Sequence, residues 1–166
     1  MKNKTLLFSF LASTLLIILV GNSSCKKSND SNSVGSTSAT ISGTAFQSTI
    51  SAGADITAES AFDLVTAQVK GTDSISMELI FPDTVVVNKA YSLGGSSTAA
   101  SLEYIDWKTQ NWFSTGWDAP SGTLTITSLN KNSHNVQGNF SAIIWAAGGD
   151  SLIVKNGQFN INYQVQ

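Results

Sequence analysis

Arginine is absent from this sequence, and the nine basic residues are all lysine against eleven acids. Planar, two-pronged recognition of phosphate or carboxylate relies on guanidinium groups. Nucleic-acid binding relies on clustered basic residues. Neither suits a chain with a formal charge of −2, which becomes −4 once Lys2 and Lys4 leave with a signal segment. Charged residues make up only 12 % of the chain, while serine, threonine, asparagine and glycine abound. The one cysteine, Cys25, has no intramolecular disulfide partner. The one histidine, His134, leaves any zinc site to be completed by carboxylates. No loop has the Asp-x-Asp-x-Asp spacing of an EF-hand. No metal and no cofactor is therefore expected.

The only long apolar run lies at the start. Lys2 and Lys4 precede Leu6, Leu7, Phe8, Phe10, Leu11 and the segment 15–20, all uncharged. That run is short of the roughly 20 apolar residues of a comfortable membrane span. A basic start, a short apolar centre and small residues before a cut describe a secretory signal. Gly21, Asn22, Ser23 and Ser24 fill the last role, and Cys25 follows directly. The arrangement resembles a bacterial lipoprotein signal, in which the cysteine thiol is acylated and the chain is cut before it. Asn22 departs from that pattern, which has a large aliphatic residue there. The resemblance implies a signal peptide over 1–24 and a membrane anchor on Cys25, since several acyl chains hold a protein stably where one does not. Residues 26–38 carry one aliphatic side chain, Val34, and cannot bury enough surface to offset ordering. With Cys25 they read as a lipidated, flexible tether, 25–38.

From Thr40 onward the apolar period is two. Ile75, Met77, Leu79 and Phe81 alternate with Ser74, Ser76, Glu78 and Ile80. Val136, Gly138, Phe140, Ala142 and Ile144 alternate with polar neighbours. Phe159, Ile161, Tyr163 and Val165 do the same. Further strands are expected over 41–46, 49–58, 62–70, 85–87, 90–93, 99–107, 112–115 and 123–127. In 62–70 the apolar parity shifts after Leu64, which suggests a bulge. Asn156-Gly157 is either a hairpin turn or a bulge in one long strand; the good turn already present at Gly148-Gly149-Asp150 favours the bulge. Nothing after Cys25 has helical spacing. The expected fold over 39–166 is an antiparallel β-sandwich or barrel of about nine strands.

Several short stretches occur in a telling order: Ile41 to Phe46 (ISGTAF), Tyr91 to Gly95 (YSLGG), Gly122 to Thr127 (GTLTIT), Val136 to Ala142 (VQGNFSA) and Val154 to Phe159 (VKNGQF). Together with Cys25 they resemble a family of small Bacteroidota lipoproteins that carry an all-β domain of unknown function. Phe46 stands where many such chains have a tryptophan. The resemblance implies an exported β-domain on the cell envelope, in the outer membrane with its leaflet undecided, and transfers no catalytic residues.

The chemistry-bearing residues are sparse. His134 sits in a polar turn with no nucleophile elbow in the sequence. Glu78 and Glu103 occupy the polar faces of strands, where solvated glutamates ordinarily sit. No enzyme is expected. The densest feature is aromatic: Tyr104, Trp107, Trp112, Phe113 and Trp117, interleaved with Asp106, Asn111 and Asp118. Such aromatics ordinarily supply core bulk. The alternative is a ligand platform of Trp107, Trp112 and Trp117 with Asp106 and Asp118, stacking on sugar C–H groups. Asp73-Ser74-Ile75, Asp83-Thr84-Val85 and Asp150-Ser151-Leu152 resemble the acceptor tripeptide of Bacteroidota O-glycosylation, which would modify Ser74, Thr84 and Ser151. The sequence thus reads as a monomeric, lipid-anchored binding or structural module of the envelope, with a carbohydrate-binding lipoprotein as the alternative and a glycan or an envelope protein as its partner.

Overall fold

Strands form where one parity is apolar and the ends are punctuated by turn residues. The computed structural model describes residues 35–95, 100–116 and 120–166. Eleven strands run in chain order: β1 (Ser36–Ile41), β2 (Thr44–Gln47), β3 (Ile50–Ile56), β4 (Ala61–Lys70), β5 (Asp73–Pro82) and β6 (Ala90–Leu93), then β7 (Ser101–Asp106), β8 (Asn111–Ser114), β9 (Gly122–Asn130), β10 (Asn135–Trp145) and β11 (Ser151–Val165). There is no helix among the described residues. Cys25, its signal, most of the tether, Trp117 and Asp118 lie outside them.

Two layers share β10 and β11. On one side the order is β2-β1-β11-β10-β9-β6, and on the other β3-β4-β5-β7-β8. Both seams are closed by long strands that outrun their first partners. Residues Tyr163, Gln164 and Val165 of β11 leave β1 behind and pair in parallel with Gly53, Ala54 and Asp55 of β3. At the other seam Trp145 of β10 bridges Ser114 of β8. The remaining pairings are antiparallel.

Side chains fill the space between the layers. Phe62, Phe81, Phe140, Phe159 and Tyr163 form a chain of ring contacts, with Phe62 and Tyr163 edge to face at 4.9 Å and Phe81 and Phe159 at 6.4 Å. Two glycines make room for rings on facing strands. A Cβ on Gly157 would lie 2.6 Å from the Phe140 ring, and one on Gly138 would lie 2.5 Å from Phe159. An interior cavity of about 10 Å³ beside Thr37, Thr66 and Phe159 holds at most about one water. The inside is a core, not a ligand chamber.

The long strand with a bulge at Asn156 is present. Phe140 faces Gly157 while Ala142 faces Val154, and Asn156 takes φ of +53° to absorb the extra residue. Other expectations are corrected. Residues 36–38 are not tether: they pair with Asn160, Phe159 and Gln158, and Thr37 is buried. The stretch 41–46 is not one strand but the turn of the β1–β2 hairpin, with Ser42 and Gly43 at positive φ. Residues 85–87 form no strand, and Val86 and Val87 are exposed. Val165 is exposed at the end of an otherwise inward row, although its backbone pairs with Asp55 of β3. The expected bulge in 62–70 does not exist, since β4 keeps continuous register with both neighbours. Its inward row simply turns polar, as Thr66 donates to the Met77 carbonyl at 3.4 Å and Gln68 donates to the Gln47 carbonyl at 3.1 Å. Val65, Ala67 and Val69 are therefore the outer row of β4, beside Glu78, Ser76 and Ser74 of β5.

Candidate functional site on the outer face of β4, β5, β7 and β8

Cross-strand register places the outward side chains on a grid. Val65, Glu78, Glu103 and Ser114 form one row over β4, β5, β7 and β8, which Trp145 of β10 extends. The next row is Ala67, Ser76, Ile105 and Trp112. Asp63 stands one step beyond Val65 on β4, diagonal to Glu78. No lysine occupies an outward position of these strands.

Trp107 is 41 % exposed, Trp112 39 % and Trp145 38 %, while Tyr104 and Phe113 point inward and pack edge to face. The aromatic segment thus divides by parity into core and surface. The indole of Trp107 is fixed over β5, because Nε1 donates to Ser76 Oγ at 3.0 Å and covers it. Trp112 donates to the Glu103 carboxylate. The loop connecting β7 and β8 is 107–110. It is tied down by Gln110, whose Nε2 donates to the Trp107 carbonyl at 2.7 Å. Asp106 serves this turn: its Oδ1 accepts from the amides of Lys108 and Thr109 at 3.0 and 3.3 Å. Lys108 is held away by Asp73 at 3.0 Å.

The acids are unequal. Asp63 is 6 % exposed, and burial, with Glu78 and Glu59 nearby, raises its pKa from 3.8 to about 8. It shares a hydrogen bond with Glu78, while its Oδ1 is buried with no hydrogen-bond partner among the described residues. Burial also raises the pKa of Glu103; the Trp112 indole opposes that rise and the charge of Asp63 adds to it. A protonated Asp63 beneath the surface shares its proton with Glu78 instead of presenting it to solvent, and Glu103 lies beside the Trp112 indole that donates to it. Among the described residues, no three His, Cys, Asp or Glu side chains group as metal ligands do.

His134 is exposed in its turn, with its ring 5.4 Å from Tyr163 and far in sequence from this face. Thr84 is exposed in the turn after β5 and Ser151 at the start of β11; Ser74 is half-buried, and its carbonyl accepts the Trp107 amide. Sequence reasoning missed Trp145, although its parity opposite the inward Ile144 marks it as outward. It also missed Asp63, whose place beside Glu78 depends on register between β4 and β5.

No family model, curated protein or solved structure matches the chain.

Proposed function

We propose that the protein is a lipid-anchored envelope module that binds glycans, without catalysis, on the outer face of β5, β7 and β8. The observation that carries this reading is the pair Trp107 and Trp112, each about two-fifths exposed on one face beside Glu103 and Ser76. Indole faces stack on the C–H faces of sugars, and neighbouring carboxylates and hydroxyls take the sugar hydroxyls. Contiguous exposed apolar surface on a folded domain ordinarily marks an interaction site. Here Ile105, Trp112 and Trp145 extend it over three strands. The lipoprotein-like signal and Cys25 support attachment to a membrane, and the resemblance to Bacteroidota lipoproteins supports the envelope as its place.

Glycan-array binding of the wild type and of Trp107→Ala and Trp112→Ala tests the reading. Each substitution should destabilise by well under the roughly 3–5 kcal/mol of a buried aromatic, and Trp112→Ala should abolish retention. A wild type that retains no glycan, or variants that bind normally, would overturn it.

A further inference from the structure

Resting on that glycan reading, we infer that the ligand is a linear, β-linked polysaccharide gripped along its interior and lying across the strands, with Trp145 of β10 as a further binding residue. The exposed indoles follow a path over neighbouring strands. The Trp107 indole lies over Ser76 of β5, and Ser76, Ile105 and Trp112 stand in one row over β5, β7 and β8. Ser114, two residues after Trp112 on the same face of β8, pairs with Trp145 of β10. Trp145 is thus the diagonal neighbour of Trp112, about 7–8 Å away by backbone geometry. With strands about 4.8 Å apart, the path from β5 to β10 is about 14 Å long. A β-linked pyranose chain is a flat ribbon that advances by about one strand spacing per ring, so about three to four rings cover the path. Neither end is walled: the row continues to Ala67 of β4, and Trp145 pairs with Ser151 of β11. Both are small residues over which a chain can run on.

A second observation points the same way. Two of these rings are set as platforms by the chain's own hydrogen bonds. Nε1 of Trp107 donates to Ser76 Oγ, and Trp112 donates to the Glu103 carboxylate. With their N–H groups turned to the sheet, the indoles offer ring surface to solvent, and little ordering of side chains remains to be done on binding. Flat ring faces match the C–H faces of a β-linked ribbon. No outward lysine of β4, β5, β7 or β8 is there to pair with an anionic chain, and Lys108 is held by Asp73. Neutral oligomers are therefore the probes.

The test titrates the full chain, purified in detergent, with dimers, tetramers and hexamers in three ladders: β-1,4-glucose, β-1,4-N-acetylglucosamine and α-1,4-glucose. The α-linked ladder coils and cannot lie flat along the path. In at least one β-linked ladder, affinity should rise about tenfold or more from dimer to tetramer, the scale of one anchor residue at an interface. Trp145→Ala should remove that rise while leaving dimer binding in place and the melting temperature little changed. Trp145→Phe, which keeps a ring face, should retain most of it. A β-linked tetramer with a bulky label at its reducing end should bind as tightly as the free tetramer. A dimer that binds as tightly as the tetramer, an α-linked ladder with the same gain, a gain that survives Trp145→Ala, or a label that blocks binding would overturn the inference and leave the glycan reading standing. Absence of binding by every ladder would overturn it too, and the glycan array then decides the broader reading by itself.

Discussion

Asp63 shows how much a single side chain depends on its neighbours. In the sequence it is one acid between Phe62 and Leu64, and nothing about it announces burial. Its partner Glu78 is fifteen residues away, and only the register of β4 against β5 brings them together. The two tryptophans were half legible: one parity of their strands had to face outward, but which parity was fixed by Tyr104 and Phe113 taking the core. Folding raises the Asp63 pKa from 3.8 to about 8, so between those values the folded state holds more protons than the unfolded chain. Stability must then fall as pH rises through that window, by up to about 1.4 kcal/mol per pH unit for one proton. Asp63→Asn, which keeps a donor toward Glu78, should flatten the curve between pH 4 and pH 8 and raise stability most at the alkaline end. Urea melts across that range measure it, and an unchanged slope would show that this pair does not titrate there.

At the level of the element, legibility followed chemistry. β5, β10 and the later part of β11 could be read residue by residue, because non-polar residues alternate with others along them. β1 could not, since its inward row begins with Thr37 and Ala39 in a run that looks like linker. β4 was misread because apolar residues fill its outer row and satisfied polar ones its inner row beyond Leu64. The bulge in β11 yields a sharp test. Gly157 lies against Phe140 with no room for a methyl group, so Gly157→Ala should cost about 1–3 kcal/mol through overpacking. Asn156 already sits at positive φ, where glycine is at ease, so Asn156→Gly should be near neutral. Equal losses from both in chemical denaturation would mean that the strain lies elsewhere.

For the whole molecule, composition and alternation established an all-β domain, but the closing contacts were beyond reach. The parallel pairing of β11 with β3 joins residues more than a hundred positions apart and leaves no trace in local pattern. The proposed anchor is a property of the whole chain too. Cys25→Ser should move the protein from the membrane pellet to the soluble envelope fraction and end uptake of labelled fatty acid; a variant that stays in the pellet would remove the anchor from the account. The position of β11 also bears on how such a chain is made. The strand reached last along these residues pairs with β1, β3 and β10, and so closes the seam with β3 and joins the β1–β2 hairpin to β10. Until it arrives, the β1–β2 hairpin has no neighbouring strand to pair with. Contacts this distant in sequence form slowly. The topology therefore suits the proposed export, in which the chain would stay threadable until its last strand had crossed.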